Sequence, residues 1–176
     1  MTVLRESELA VTRRALRFDS VSVQVSAPPE RVYELVADVT RMGEWSPECY
    51  RCEWLEGATE PTVGARFKAH NKRRLLPWSN SPTVVVADEG REFGFSRTML
   101  GAGEYVWRYR FEPSPDGGTQ VTESYEAVRP ERWLNSAFAN LFTPGDEASH
   151  LRSAMAVTLG RIKGAAEGQP LPPDVR

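Results

Sequence analysis

Residues 104–128 read EYVWRYRFEPSPDGGTQVTESYEAV, two alternating runs around a turn-rich centre. In the first run Tyr105, Trp107, Tyr109 and Phe111 fall on one face, and Val106, Arg108 and Arg110 on the other. The second run places Val121, Glu123, Tyr125 and Ala127 together, opposite Thr122, Ser124 and Glu126. Pro113, Pro115, Asp116, Gly117 and Gly118 supply the turn chemistry of a hairpin. A symmetric loop pairs Phe111 with Val121, Tyr109 with Glu123 and Trp107 with Tyr125. One face is then aromatic yet carries a carboxylate and two phenols. A core has no need of those polar tips, whereas a binding cavity uses them.

Working outward, a strand is predicted at 17–26, with Phe18, Val21, Val23 and Val25 alternating against polar neighbours apart from a phase slip near Ser20. Ser26 or Ala27 is expected to cap a helix whose first turn takes Pro28, Pro29 and Glu30, and whose buried stripe is Val32, Leu35 and Val36. Asp38 begins a second short helix that Pro47 stops. Strands are expected at 50–55, 65–72, 83–88 and 92–99, with LPWSNS as a linker between the second and third of them. Short connections throughout imply an antiparallel meander. Residues 131–143, ERWLNSAFANLFT, read as a helix apolar over more than half its circumference. A long helix over about 147–167 follows, with a stripe of Leu151, Met155, Leu159 and Ile162.

The predicted class is therefore α+β. A curved antiparallel sheet of seven strands wraps around the long C-terminal helix, with two short helices after strand 1. Residues 1–16 are expected to be an N-terminal extension, 17–167 a single domain, and the Pro-rich 168–176 a disordered tail.

A chain of 176 residues suffices for one domain with a sizeable core. The formal net charge of -2 gives no global attraction to nucleic acid, so no nucleic-acid partner is expected. No apolar run approaches the ~18 residues of a spanning helix, and the first residues lack the apolar core of a signal peptide. Integral membrane association is not expected, and the cytoplasm is the expected location.

Cys49 and Cys52 form a lone C-x-x-C. Zinc would need a second ligand pair, and His70 and His150 are not in metal-ligand spacing. The pair opens a predicted strand, where a spacing of three sends side chains to opposite faces. Two ordinary thiols are expected, with no metal and no cofactor. No P-loop, dinucleotide fingerprint or Ser-His-Asp arrangement is present.

Several stretches together resemble the helix-grip superfamily that includes birch-pollen-allergen-like proteins, StAR-related lipid-transfer (START-like) domains and bacterial polyketide cyclase/dehydrase-like proteins, the SRPBCC group. They are APPERVYELVADVTRMGEWSPE at 27–48, VGARFKAHNKRR at 63–74, GREFGFS at 90–96, WRYRFEP at 107–113, GGTQVTESYEA at 117–127 and TLGRIKGAAE at 158–167. Asp38, Trp45 and Pro47 carry the most specific part of that pattern. The resemblance implies a pocket for a hydrophobic ligand between the sheet and the last helix. Members range from lipid, sterol and quinone carriers to aromatase/cyclases, so the fold does not settle the function.

The expected ligand-binding residues are Trp45, Phe67, Asn71, Trp78, Phe95, Trp107, Tyr109, Phe111, Glu123, Tyr125, Phe138, Leu151, Met155 and Leu159. Trp107, Tyr109, Phe111 and Tyr125 either line the pocket or form sheet core. Glu123 on the inner face is either an acid/base group of raised pKa or a structural partner of Tyr109 or of Arg97. Phe67 and Asn71 point inward, opposite a solvated Arg66, Lys68 and His70. Trp45 gates or plugs the mouth, Trp78 rims the mouth or plugs the sheet edge, and His150 is exposed. The 131–143 helix acts as a lid or as a dimer surface.

The leading reading is a carrier or sensor of a small hydrophobic molecule, such as a lipid, a polyketide or another aromatic or isoprenoid-like compound. It is set beside an aromatase/cyclase using Glu123, Tyr109 and Arg97, and beside an interaction module built on residues 131–143. Either a monomer or a homodimer fits.

Overall fold

The computed structural model describes residues 18–99, 103–129 and 147–170. The expected N-terminal extension, the 131–143 helix with Phe138, and the last six residues of the expected tail lie outside them.

Strand β1 (Phe18–Val25) leads into helix α1 (Pro29–Ala37), a 3-10 turn (Val39–Arg41) and helix α2 (Met42–Trp45). Next come β2 (Cys49–Trp54), β3 (Phe67–Arg73), β4 (Leu76–Asn80), β5 (Thr83–Asp88), β6 (Glu92–Met99), β7 (Gly103–Pro113) and β8 (Thr119–Arg129). The long helix α3 (Glu147–Ala166) follows. The class is α+β, as expected, with the two short helices directly after the first strand.

Two details differ from the sequence reading. Among the described residues the antiparallel strands number eight rather than seven, because the expected linker LPWSNS contains β4, paired to β3 through Asn71↔Trp78 and Ala69↔Asn80. A proline within the run disguised it, since Pro77 cannot donate to a ladder and is tolerated only on an edge strand; β4 is the edge of its sheet. The strands also divide into a five-stranded sheet, β1-β8-β7-β6-β5, and a three-stranded sheet, β2-β3-β4. An isolated bridge at Arg66↔Thr83 joins them, reinforced by Val84 N–H donating to the Ala65 carbonyl at 2.8 Å.

The hairpin of β7 and β8 has the expected register: Phe111↔Val121, Tyr109↔Glu123 and Trp107↔Tyr125. β1 pairs with the far side of β8 and β6 with the far side of β7, so this hairpin lies inside the larger sheet with both edges paired. The helices follow from ordinary local chemistry. Pro28 is the N-cap of α1 and Pro29 its first residue, one position beyond the expected cap, while Asp38 caps the 3-10 turn by accepting from Thr40 N–H at 3.1 Å. Helix α1 lies over β6 and β7, where Tyr33 meets Phe93 and Phe111 edge-on at 6.5 and 5.8 Å.

Helix α3 packs on β1 and β8 and against α1 and α2, burying Met155, Thr158, Leu159 and Ile162. Polar ties fix it along its length. Arg152 forms a bidentate pair with Asp19. Arg161 Nη1 donates to the Trp45 carbonyl at 3.3 Å, and Lys163 Nζ donates to the Gln24 carbonyl at 2.6 Å. Glu167 Oε1 accepts from Ser26 N–H at 2.8 Å.

Helix α2 sits close on β2 because Gly43 has no side chain. A Cβ there would lie 2.6 Å from the Tyr50 carbonyl oxygen, closer than real contacts allow. Gly43→Ala is therefore expected to push α2 off the strand and to destabilise the fold by about 1–3 kcal/mol. Urea unfolding of wild type and variant checks this, and equal midpoints would show that α2 shifts without cost.

Candidate functional site

A cavity opens between α3, α2 and the inner faces of both sheets. Its floor comes from the period-2 alternation of the central strands. Phe67, Ala69 and Asn71 of β3, Phe95 and Arg97 of β6, Trp107 and Tyr109 of β7, and Glu123 of β8 all point into it. The roof is the stripe of α3, with Leu151, Ala154, Met155, Thr158 and Ile162. Val36, Met42 and Trp45, together with the Ser46–Cys49 connection, close one side, and Asn80 and Pro82 close another. The space open to the centre of a water-sized sphere is about 80 Å³. One water needs only about 15 Å³ on that measure, so this is more than a packing defect.

The polar centre of the floor is a carboxyl–phenol pair. Glu123 is 3% exposed, and its Oε1 accepts from the Tyr109 hydroxyl at 2.8 Å. Burial pushes the Glu123 carboxyl up to about 8, although the bond from Tyr109 pulls it partway back. The Tyr109 hydroxyl is held well above the ordinary phenol range, first by burial and then by the proximity of Glu123. At neutral pH Glu123 is largely protonated. Its second oxygen, Oε2, is buried with no hydrogen-bond partner among the described residues. A carboxylic acid in that state has one O–H to offer. Trp45 Nε1, Trp107 Nε1 and Asn80 Oδ1, on three other cavity residues, are also buried without a described partner. Native interiors seldom leave such groups unmatched, so four of them on one cavity is an unusual concentration of open hydrogen-bonding capacity.

Arg97 lies with its guanidinium 5.0 Å over the Trp107 ring. The hydrogen-bond partner found for Glu123 is Tyr109, the first of the two expected alternatives. Asn71 is buried and donates Nδ2 to its own strand at the Ala69 carbonyl, 3.3 Å away. Trp45 sits beneath Arg41, whose guanidinium carbon is 4.8 Å from the ring centroid.

The structure thus brings Trp45, Phe67, Asn71, Phe95, Arg97, Trp107, Tyr109, Glu123, Leu151 and Met155 together around one space. Four other expected residues stand off it. Phe111 is taken up by Tyr33 of α1, Tyr125 stacks behind Trp107 at 5.3 Å, Leu159 is core of α3, and Trp78 belongs to the edge strand β4. Phe111, Tyr125 and Leu159 lie on the expected buried faces, whereas Trp78 was expected in a linker and lies in a strand. A face in a sheet is wider than the cavity above it, and the helices cover the remainder.

His150 departs from its expected exposure. It is half-buried, with Nε2 2.6 Å from Glu48 Oε1, a tie between the start of α3 and the cavity rim. The cysteines depart most. A bulge between Cys49 and Arg51 adds a residue to β2, so Cys49 and Cys52 share the buried face instead of opposing ones. Their Sγ atoms are 3.4 Å apart as free thiols. A bulge has no signature in a run such as CYRCEW, where alternation places the two cysteines on opposite faces. Among the described residues no helix is long and apolar enough to cross a membrane.

Comparison with known proteins agrees with this architecture. The solved Zhui aromatase/cyclase from Streptomyces sp. R1128 is similar at 21% identity, over 86% of this chain and 93% of that one, with a TM-score of 0.65. A START superfamily protein from Mycobacterium smegmatis is similar at 15% identity, over 86% and 98%, with a TM-score of 0.64. Identities this low show the fold alone, which is the helix-grip arrangement expected from the sequence. The comparison with curated proteins gives no match. The family described as polyketide cyclase / dehydrase and lipid transport matches residues 20–167, most of the chain, and the chain belongs to that family.

Proposed function

We propose that this protein encloses a small, mostly apolar molecule bearing a carbonyl or hydroxyl group, as a carrier or sensor. The observation that carries the reading is the Glu123 carboxyl. It is buried and largely protonated, its Oε1 is engaged by Tyr109, and its Oε2 is left without a described partner on the cavity wall. A neutral acid is the form that donates to a ligand oxygen without the penalty of burying a charge. Aromatic rings from three strands supply the apolar surface, and Trp45 and Trp107 add ring N–H donors. The family spans lipid transport and polyketide chemistry, both of which handle molecules of this kind.

A second reading has its own support. A carboxyl with a pKa of about 8 beside a phenol is suited to exchanging protons near neutral pH, as aldol closure and dehydration of a poly-ketone require. In that aromatase/cyclase-type enzyme Glu123 is the acid/base group, Tyr109 its hydrogen-bond partner and Arg97 the positive charge for a developing oxyanion. The size of the space favours the first reading, since about 80 Å³ open to water centres does not hold a long poly-ketone chain unless the roof moves.

Native mass spectrometry of gently purified protein is expected to show a co-purifying molecule of low mass. Ala154→Phe, which fills the cavity from α3, is expected to displace it and to weaken uptake of an apolar fluorescent probe at least about tenfold, or ~1.4 kcal/mol, while the protein stays folded. Unchanged probe affinity in that variant counts against the site. Glu123→Gln separates the two readings. Its amide still donates, so a carrier keeps probe affinity within about tenfold, whereas turnover of a poly-ketone by an enzyme is lost.

The raised Glu123 pKa also fixes a pH dependence. The folded state holds a proton between pH ~4.5 and ~8 that the unfolded state has lost, so stability falls as pH rises through that window. The loss is expected to be on the order of 3–5 kcal/mol. Urea unfolding between pH 5 and 8.5 should show this slope in wild type and a much flatter one in Glu123→Gln. Equal slopes would place the Glu123 pKa near its ordinary value.

A further inference from the structure

The bulge in β2 gathers sulfur. Cys49 Sγ and Cys52 Sγ are 3.4 Å apart, and Cys52 Sγ is 3.8 Å from Met42 Sδ. The two cysteines are free and only 4% and 6% exposed, and Met42 and Cys49 both line the cavity. Among the described residues no three His, Cys, Asp or Glu side chains converge as a metal site, so the third donor here is a thioether.

We propose that Met42, Cys49 and Cys52 form an all-sulfur site for a soft monovalent cation, copper(I), reached through the cavity. Three arguments converge on that ion. The donor set is two thiols and one thioether; soft sulfur ligands of this kind select copper(I), whereas zinc takes four ligands drawn from thiolate, imidazole and carboxylate. Trigonal coordination at a metal–sulfur distance of about 2.3 Å separates the sulfurs by about 4 Å; the Cys52–Met42 spacing of 3.8 Å is close to that, and the Cys49–Cys52 spacing of 3.4 Å reaches it by a small parting of the two side chains. The scaffold is stiff, because Met42 opens α2 and Gly43 next to it rests against the Tyr50 carbonyl of β2, between the two cysteines.

Charge is matched as well. On binding, both thiol protons leave to solvent and the ion keeps its oxidation state, so two thiolates and one copper(I) carry a single negative charge. Arg97 on the same cavity wall bears on Cys49 with its positive charge. This site is independent of the ligand reading, since it uses different atoms from the Tyr109–Glu123 pair.

The test is anaerobic titration of the reduced full-length protein with copper(I) held by bathocuproine disulfonate, followed by X-ray absorption on the loaded protein. Uptake of one copper(I) per chain in a three-sulfur shell is expected, with loss of uptake in Cys52→Ser. Met42→Leu, close in volume and so expected to fold normally, should weaken the site about tenfold while leaving the two cysteines able to bind. Failure of the reduced wild type to take copper from the chelator overturns the proposal. So do uptake unchanged in Cys52→Ser, a nitrogen or oxygen shell, or a Cys49–Cys52 disulfide in protein purified under reductant.

Discussion

The pairing of Tyr109 with Glu123 across β7 and β8 is the constraint on which the site depends. Strand side chains alternate with a period of two, so a slip of β8 by one residue against β7 would carry Glu123 and Tyr125 to the outer face and part them from Tyr109 and Trp107. The hydrogen bond of 2.8 Å between the hydroxyl and the carboxyl is made only in the observed register. It also makes the register tolerable, because a buried glutamate with neither proton nor partner would be among the most expensive groups in the fold. The proton and the phenol answer that cost from two sides. The acid is kept neutral by burial, and one of its oxygens is hydrogen-bonded by its cross-strand neighbour.

The helix above this floor is what turns a sheet face into a cavity. Helix α3 is apolar along one stripe, and its polar ties to Asp19, Gln24, Ser26 and the Trp45 carbonyl set it against β1, β8 and the short helices. Most of the sheet contact is made at β1, leaving the region over β6 and β7 to be closed by α1 at one end, where Tyr33 reaches Phe93 and Phe111. Between those two roofs neither helix fills the volume. Of the buried polar atoms without described partners, those on Trp45, Asn80, Trp107 and Glu123 belong to residues lining that gap, whereas Trp78 Nε1 stands off it. Packing and unmatched hydrogen-bonding capacity therefore point to the same place by independent routes.

Another part of the cavity wall has a different chemistry. There the smaller sheet meets α2, and the contact is close because Gly43 lets the helix approach the Tyr50 carbonyl. Sulfur from the helix and from the strand meets at that contact. One cavity thus has an oxygen-bearing side suited to a polar group on an organic guest and a sulfur-bearing side suited to a soft ion. The two share Arg97, whose charge bears on both Tyr109 and Cys49.

The sequence by itself determined whatever depends on periodicity. The register of β7 and β8, the inward faces of Phe67, Asn71 and Glu123, and the buried stripe of α3 follow from alternation at two residues or recurrence near 3.6. Such patterns are local, and burial enforces them. Tertiary structure alone decided what depends on an interruption of the pattern or on the meeting of distant elements. β4 was hidden by Pro77, which only an edge strand accommodates. The shared face of Cys49 and Cys52 came from a bulge of one residue, which inverts every inference drawn from alternation beyond it. The tie from His150 to Glu48 and the contact of Met42 with Cys52 join residues whose proximity no local rule encodes. The same holds for the boundary between the cavity and the core. Phe111, Tyr125 and Leu159 have the right faces, but which part of a face stays uncovered is set by where two helices come to rest.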